Sequence, residues 1–212
     1  DRSLGRQLDA LLAAEPDLTP YEVAGAVSRA VPRDGLLVVG PSSPIRDLDL
    51  MARPSPVGER RKTVANRGLS GIDGMVSTAI GVALARESSR SLALLGDVTF
   101  LHDSNGLVVG PGQPTPDLTI VVVNDDGGSI FTMLEQGEPT HGDRFEALFG
   151  TPHGVDVAAL CAATRTPHWR VESAPELEQA LASPNGGLEV VEVRVRRDNR
   201  RDLDARIRAL RP

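Results

Sequence analysis

Aromatic residues are scarce in this sequence of 212 residues. Phenylalanine, tryptophan and tyrosine together make up 3% of it, which leaves few rings on which the bases of a single strand could stack. The formal net charge is −6, so the chain also lacks the excess of positive charge that attracts phosphate backbones. Near the end, the arginines from Arg194 to Arg211 alternate with carboxylates, which indicates a solvated face of mixed charge. A nucleic-acid partner is therefore not expected.

Cysteine is almost absent. Cys161 is the single one, so no disulfide can form within the chain, and a reducing compartment is indicated. Cys161 lies in an apolar run of helical character, which favours a buried thiol over a nucleophile. The sequence also contains no apolar stretch of the roughly 18 residues that a membrane span requires, and no signal-peptide pattern at its start. These absences predict a cytoplasmic protein without a membrane span.

What the sequence does contain is typical of a globular α/β protein. Its hydrophobic fraction of 40% and charged fraction of 25% are ordinary, and its length fits one large domain. Short apolar runs alternate with helical patterns, which is typical of parallel sheets covered on both faces. We expect one doubly wound α/β domain over residues 1–212, with a mainly parallel sheet, helices on both faces, and helices within residues 1–33 that lead into the sheet.

The individual elements follow from hydrophobic periodicity and from turn residues. Strands are predicted at residues 36–39, 63–65, 92–95, 118–123, 169–171 and 188–195. Helices are predicted within residues 1–16, from Pro20 to Ala30, and over residues 72–87, 98–109, 155–164, 175–182 and 201–210. Residues 135–154 contain several glycines and prolines, and they predict a mobile excursion over the site.

Oxygen-bearing side chains follow two of the predicted buried strands. Gly96 and Asp97 end the strand at 92–95, and residues 124–128, which include three consecutive side chains with oxygen atoms, end the strand at 118–123. In an open α/β sheet, ligands bind at this carboxyl edge because the loops converge there. Carboxylate, amide and carbonyl oxygens suit Mg²⁺, which completes its shell with phosphate oxygens and water. The sequence thus predicts a site for a metal-bridged diphosphate.

Three strings in the sequence carry a resemblance to a known family. The pair Gly96-Asp97 followed by Asn124-Asp125 is similar to the bipartite thiamine-diphosphate motif, which has a Gly-Asp pair and a later Asn-Asn pair. The fuller strings at residues 67–74, 96–107 and 124–131 resemble the MenD family, the SEPHCHC synthases of menaquinone biosynthesis. SEPHCHC is 2-succinyl-5-enolpyruvyl-6-hydroxy-3-cyclohexene-1-carboxylate. The resemblance is strong over residues 36–136 and general elsewhere.

The resemblance implies a transferase that depends on thiamine diphosphate and Mg²⁺, with Mn²⁺ as an alternative metal. Such an enzyme decarboxylates 2-oxoglutarate and adds the succinyl carbanion equivalent to isochorismate. This chain then corresponds to the part that holds the diphosphate and the metal. A pyrimidine-binding domain from a second subunit of a homodimer or homotetramer completes the site, so the isolated chain is expected to be inactive. Two alternatives stay open, namely the same domain of another 2-oxo acid decarboxylase or ligase, and a noncatalytic nucleotide-binding module.

The resemblance also implies roles for particular residues. The implied cofactor-binding residues are Ser42, Ser70, Gly71, Ile72, Gly96, Asp97, Val98, Thr99, Asn124, Asp125, Gly127, Gly128 and Ile130. The implied substrate-binding and catalytic residues are Arg46, Arg67, Ile130, Phe131 and Leu134. Arg46 is equally consistent with a surface arginine paired with Asp47 or Asp49. The apolar residues are equally consistent with ordinary helix packing.

The metal ligands are ambiguous within the loop after residue 123. The candidates are Asp97, Asn124, Asp125, Asp126 and Gly127. If Ile130 and Phe131 anchor the alignment, the ligands are the Asp125 side chain and the Gly127 carbonyl. If positions are counted forward from Asp97, the ligands are Asn124 and Asp126 instead.

Overall fold

The computed structural model describes residues 2–55, 57–66, 68–86 and 90–212. In that part of the chain six strands form one sheet: β1 (Leu36–Val39), β2 (Lys62–Val64), β3 (Ser91–Gly96), β4 (Leu118–Asn124), β5 (His168–Val171) and β6 (Leu188–Arg194). Their order is β2-β1-β3-β4-β6-β5, and each neighbouring pair is parallel. The predicted parallel α/β sheet is confirmed.

The helices lie before, between and after these strands along the chain. They are α1 (Arg2–Ala13), α2 (Pro20–Ala30), α3 (Ser43–Met51), α4 (Met75–Leu84), α5 (Asp97–His102), α6 (Gly142–Phe145), α7 (Val157–Ala163), α8 (Ala174–Ala182) and α9 (Arg200–Arg208). The predicted start of α2 is confirmed, because Thr19 and Glu22 form a reciprocal capping box: the Glu22 amide donates to Thr19 Oγ1, and the Thr19 amide donates to Glu22 Oε2.

The strands β1, β3 and β4 are buried on both faces, which explains why their residues are mostly apolar. Successive side chains of β3 point to opposite faces. Leu92 and Leu94 pack with residues of α2, α3 and α8, whereas Ala93 and Leu95 pack with residues of α4 and α7. These two clusters form the cores on the two faces. The predicted doubly wound arrangement, with helices on both faces, is therefore confirmed.

The strand order fixes the position of the site. After β1 the chain moves outward to β2, and β3 then returns to the opposite side of β1. The order thus reverses between β1 and β3, and their connections leave toward opposite faces of the sheet. Such a switch point leaves a crevice at the carboxyl ends of the two strands, which is where open α/β sheets bind ligands.

Two predicted helices are shorter than the sequence pattern suggests. The helix predicted over residues 98–109 ends at His102, and a separate 3₁₀ turn covers Ser104–Leu107. The break occurs because the Asp103 carboxylate accepts hydrogen bonds from the amide and the hydroxyl of Ser77 at the start of α4, at 2.6 and 3.1 Å. Helix α4 in turn begins at Met75, after the left-handed Gly74, rather than at Ile72.

Residues 135–150 form a series of short helical turns, and residues 151–154 are irregular. Turns at Glu135–Gly137 and Pro139–His141 lead into α6, and a π-helical turn at Glu146–Gly150 follows it. We call residues 145–154 the cap segment, because its backbone contacts the loop after β4. The predicted mobility of this region stays a prediction.

Two simpler expectations concern the lone cysteine and the membrane. Cys161 is fully buried, and burial raises the pKa of its thiol to about 12, so the structure places it as a packed core residue. Among the described residues, none of the helices combines the length and the apolar character needed to cross a membrane.

Candidate functional site

A cavity of about 190 Å³ lies at the carboxyl edge of the sheet, beside the switch point. Ser42 reaches it from the loop after β1, and Ile72 reaches it from the turn before α4. The end of β3 contributes Gly96, and the first turn of α5 contributes Asp97, Val98 and Thr99. The loop after β4 contributes Asp125, Gly127, Gly128, Ile130 and Phe131. The structure thus brings together, in one cavity, residues predicted from three separate strings of the sequence.

Asp97 is almost fully buried at the first position of α5, with 3% of its surface exposed. Its Oδ1 accepts the Val98 amide at 2.7 Å, and its Oδ2 accepts the Gly127 amide at 2.9 Å. Burial raises the pKa of this carboxyl above its usual range, although these hydrogen bonds oppose the shift. Asp97 therefore ties the start of α5 to the loop after β4.

Asn124 turns away from this cavity, although it precedes a residue that lines it. Its amide Nδ2 donates to Glu192 Oε1 at 2.6 Å, and its Oδ1 accepts the Asp126 amide at 3.0 Å. The residue is fully buried, and both polar atoms of its side chain have partners within the protein. The structure thus places Asn124 in a supporting position beneath the loop.

Asp125 occupies the position that faces the cavity. Its Oδ1 is buried and has no hydrogen-bond partner among the described residues. Burial raises the pKa of Asp125 to about 7, and the nearby Asp97 carboxyl adds to this shift. An oxygen in this setting is stabilised by a cation, because a cation satisfies the lone pair and offsets the repulsion between the two carboxyl groups.

Asp126 points to the cap segment and not to the cavity. Its Oδ1 accepts the amides of His153 and Gly154, at 3.1 and 2.8 Å. Burial acts to raise the pKa of Asp126, but these two hydrogen bonds and the proximity of His153 outweigh it and hold the pKa below its usual value. The residue adopts a left-handed backbone, with φ of 61°, which reverses the chain between Asp125 and Gly127.

His153 connects the cap segment to Asp97. Its Nδ1 accepts the Val155 amide at 3.0 Å, so in this network the proton resides on Nε2. The Nε2 atom lies 3.1 Å from Asp97 Oδ2 and therefore donates to it. No local sequence signal pairs His153 with Asp97, which precedes it by 56 positions.

Arg197 joins three segments around the same loop. Its Nη1 donates to the carbonyls of Asp126 and Gly150, at 2.6 and 3.1 Å, and its Nη2 donates to Glu146 Oε2 at 2.6 Å.

The prediction of a solvated face for residues 194–211 is wrong at Arg197, which forms these bonds, and at Arg200, which is 2% exposed and lines the cavity. Alternating charges predicted exposure, but α9 packs its first turn against α2 and α3.

The remaining predicted residues lie at the margin of the cavity or beyond it. Arg46 is exposed, and its Nη1 donates to the Ser42 carbonyl at 2.5 Å, not to Asp47 or Asp49. Ser70 and Gly71 lie in the turn before α4 but do not line the cavity. Leu134 is 47% exposed, whereas Phe131 lines the cavity and packs against Phe149 with ring centroids 5.5 Å apart. Arg67 lies outside the described residues.

The comparisons with known proteins agree with this location. The sequence matches the family described as thiamine pyrophosphate enzyme, C-terminal TPP binding domain, over residues 50–193. Thiamine pyrophosphate, or TPP, is another name for thiamine diphosphate. The chain belongs to this family. The matched range includes the loops after β3 and β4, which hold Asp97 and Asp125.

Curated relatives narrow the similarity further. The chain is 72% identical, over 213 residues, to a 2-succinyl-5-enolpyruvyl-6-hydroxy-3-cyclohexene-1-carboxylate synthase from a Nocardioides species, covering 100% of this chain and 40% of that protein. It is 49% identical over 210 residues to the synthase of the same name from Rhodococcus erythropolis, covering 99% of this chain and 38% of that protein. The chain therefore spans about 40% of the length of these relatives. The resemblance to SEPHCHC synthases is confirmed.

Glu192, whose carboxylate accepts the Asn124 amide, leads to a prediction about stability. Burial raises the pKa of Glu192, but hydrogen bonds from His168 and Asn124 outweigh it and hold the pKa below its usual value. Ionised Glu192 therefore stabilises the fold above the pKa of the unfolded chain, and this contribution is lost as the pH falls through the lower pKa of the folded state. We expect Glu192→Gln to lower the free energy of unfolding by about 1–3 kcal/mol at pH 7.

The measurement is urea unfolding of both proteins at pH 7 and at successively lower pH. The difference between Glu192→Gln and the unaltered chain should shrink below about pH 4.3, the ordinary pKa of glutamate. Glu172→Gln is the matched control, because Glu172 pairs with Arg170 at the exposed end of β5. A pH-independent difference for Glu192→Gln would contradict the stabilising role of the charge.

Proposed function

We propose that residues 1–212 form the domain of a SEPHCHC synthase that holds the diphosphate of thiamine diphosphate and its Mg²⁺ ion. The whole enzyme would decarboxylate 2-oxoglutarate and add the succinyl group to isochorismate. The names and identities of the relatives support this reaction. The observation that carries the proposal is the meeting of Asp97 and Asp125 at one cavity beside the switch point of the sheet.

The proposed metal ligands are the side chains of Asp97 and Asp125 and the carbonyl of Gly127. Asp125 is preferred over Asn124 because its Oδ1 has no partner among the described residues, whereas Asn124 is bonded to Glu192 and Asp126. Asp126 is not preferred because its carboxylate is bonded to the cap segment. Two carboxylates and one carbonyl leave room for phosphate oxygens and water, which is the shell that Mg²⁺ prefers.

The loops that line the cavity are proposed to hold the cofactor. Ser42, Val98, Thr99 and Gly128 would supply backbone and hydroxyl groups, and Ile72 an apolar contact, because all five line the cavity. Bound thiamine diphosphate supplies the electron sink for the decarboxylation. The contribution of this chain is to fix the diphosphate and the metal and, through Ile130 and Phe131, to exclude water from the reacting end.

The substrates carry carboxylates, and two arginines are proposed to bind them. Arg46 is exposed near the mouth of the cavity, and its guanidinium holds only a local bond to the Ser42 carbonyl, so it can turn to a substrate. A planar guanidinium binds a carboxylate through two parallel hydrogen bonds. Arg67 is proposed for the same role on the basis of its sequence string alone.

A second domain is proposed to complete the site. The pyrimidine end of thiamine diphosphate would be held by a pyrimidine-binding domain of another subunit, in a homodimer or homotetramer. Leu134, which is 47% exposed beyond Phe131, is an apolar contact that such a domain could cover. The prediction of low activity for the isolated chain follows from this arrangement, and a cytoplasmic location likewise stays a prediction.

Isothermal titration of the chain with thiamine diphosphate, with and without Mg²⁺, tests the proposed function. We expect binding that requires Mg²⁺ and is lost on chelation, because the diphosphate and the two carboxylates repel one another without the metal. Thiamine without phosphate is the matched control and should bind far more weakly. Equal binding with and without Mg²⁺, or no binding of thiamine diphosphate at all, would contradict the proposal.

A further inference from the structure

Arg200, at the start of α9, is a buried cation on the wall of the cavity. It is 2% exposed, and its Nη2 donates to Asp47 Oδ1 of α3. Its guanidinium carbon lies 4.3 Å from the centroid of the Tyr21 ring of α2. Asp47 and Arg200 both line the cavity that holds Asp97 and Asp125. Because an arginine stays charged in proteins, this position holds a fixed positive charge inside the site.

Two of the guanidinium nitrogens are not satisfied within the protein. Arg200 Nε and Nη1 are buried and have no hydrogen-bond partner among the described residues, and the same holds for Ser43 Oγ on the cavity wall. Leaving a buried donor without a partner costs about 1–3 kcal/mol, and more for a charged group. Asp47 does not remove this cost, because it accepts from Nη2 alone. Because Arg200 and Ser43 both line the cavity, a ligand or water bound there is the available partner for these donors.

One acceptor on the cavity wall also lacks a hydrogen-bond partner among the described residues. Asp125 Oδ1 is buried and has no partner in the described part of the chain. An anion would satisfy Arg200 and Ser43 but would repel Asp125, whereas a lone metal ion would satisfy Asp125 but would leave the donors unpaired. A metal ion bound to an anion satisfies both sets at once. Guanidinium and hydroxyl groups are typical ligands of phosphate oxygens.

We propose that Arg200, through Nε and Nη1, and Ser43, through Oγ, bind the phosphate oxygens of the metal-bridged diphosphate. This inference rests on the proposed function and assigns two further binding residues to the same site. Asp47 and Tyr21 act as positioning residues, because Asp47 accepts from Nη2 and the Tyr21 ring lies against the guanidinium, which leaves Nε and Nη1 without partners among the described residues. They also offset the charge of Arg200 while the donors await a ligand.

The test uses the 212-residue chain, with Mg²⁺ and inorganic pyrophosphate as the probe, because pyrophosphate contains only the part of the cofactor that Arg200 would contact. Arg200→Met alone leaves Asp47 buried and unpaired, which threatens the fold. The variant is therefore the double substitution Asp47→Leu with Arg200→Met, which removes the pair and keeps the net charge. Arg208→Met is the matched control, since Arg208 is exposed on the same helix.

We expect the double variant to bind Mg²⁺-pyrophosphate at least about tenfold more weakly than the unaltered chain, which corresponds to the loss of one charged hydrogen bond. Its affinity for Mg²⁺ alone should stay within about twofold, because the change in net charge is zero. Arg208→Met should bind both as the unaltered chain does. Ser43→Ala, which leaves the ion pair intact, should weaken pyrophosphate binding about threefold, by the loss of one neutral hydrogen bond.

Two outcomes would overturn the inference alone: a double variant that binds Mg²⁺-pyrophosphate as well as the unaltered chain, or one that loses Mg²⁺ and pyrophosphate to the same extent. Failure of the unaltered chain to bind Mg²⁺-pyrophosphate would overturn the inference and the proposed function together. Circular dichroism of each variant separates these outcomes from unfolding. If the double variant is unfolded, Ser43→Ala decides instead, and an unchanged affinity of that variant for Mg²⁺-pyrophosphate would overturn the inference.

Discussion

Asp97→Ala is expected to weaken the Mg²⁺-dependent binding of thiamine diphosphate by more than about 100-fold, since even the outer-shell partners of a metal site contribute 10- to 100-fold. The substitution removes a proposed metal ligand and the acceptor that orders the Gly127 amide and His153 Nε2. The loop after β4 then loses its tie to α5. Titration calorimetry with and without Mg²⁺ measures the loss, and circular dichroism checks that the sheet is intact.

Asp126→Asn is the control for the Asp97 prediction. It removes a carboxylate from the same loop, but an asparagine oxygen can still accept the amides of His153 and Gly154. We expect its affinity for the cofactor to stay within about threefold, because no metal ligand is lost. If Asp126→Asn were as damaging as Asp97→Ala, the ligand assignment would have to move by one residue along the loop. Undiminished binding by Asp97→Ala would exclude Asp97 as a ligand.

Gly127→Ala is expected to abolish cofactor binding and to destabilise the chain. Gly127 has φ of 140°, a conformation that residues with a side chain rarely adopt. An added Cβ would lie 2.0 Å from the Gly150 carbonyl oxygen and 2.5 Å from Arg197 Nη1, so the loop or the cap segment must move. We expect a loss of about 1–3 kcal/mol in the free energy of unfolding, measured by urea titration, together with the loss of the Mg²⁺-dependent calorimetric signal.

Gly154→Ala separates the steric effect from the effect of backbone conformation. Gly154 also has a positive φ, of 58°, but a Cβ there would meet nothing within 4 Å. We expect this variant to lose only about 1 kcal/mol of stability, the ordinary cost of a left-handed alanine, and to keep its cofactor binding. If Gly127→Ala and Gly154→Ala lost stability and cofactor binding to a similar extent, the close approach of the cap segment would not be the reason that position 127 requires glycine.

The candidate site was predictable in outline because its residues follow strands. A buried parallel strand has a recognisable apolar run, and the residue at its carboxyl end must lie at the ligand-binding edge. This reasoning placed Asp97 and Asp125 near each other, and the structure brings both to one cavity. Helix ends were less predictable: α5 ends at His102 because Asp103 bonds to Ser77, and no pattern within residues 98–109 contains that contact.

The sequence by itself determined the parallel α/β fold, the family and the loops that meet at the site, because each depends on local apolar runs or on contiguous strings. Only the tertiary structure decided which side chain of each loop faces the cavity. Asn124 turns away because Glu192, 68 positions later, accepts its amide, and Arg200 is buried because Asp47, 153 positions earlier, pairs with it. Buried hydrogen bonds and ion pairs between distant segments fix these orientations, since an unpaired polar group in the core is costly. Their partners come together only when the chain folds.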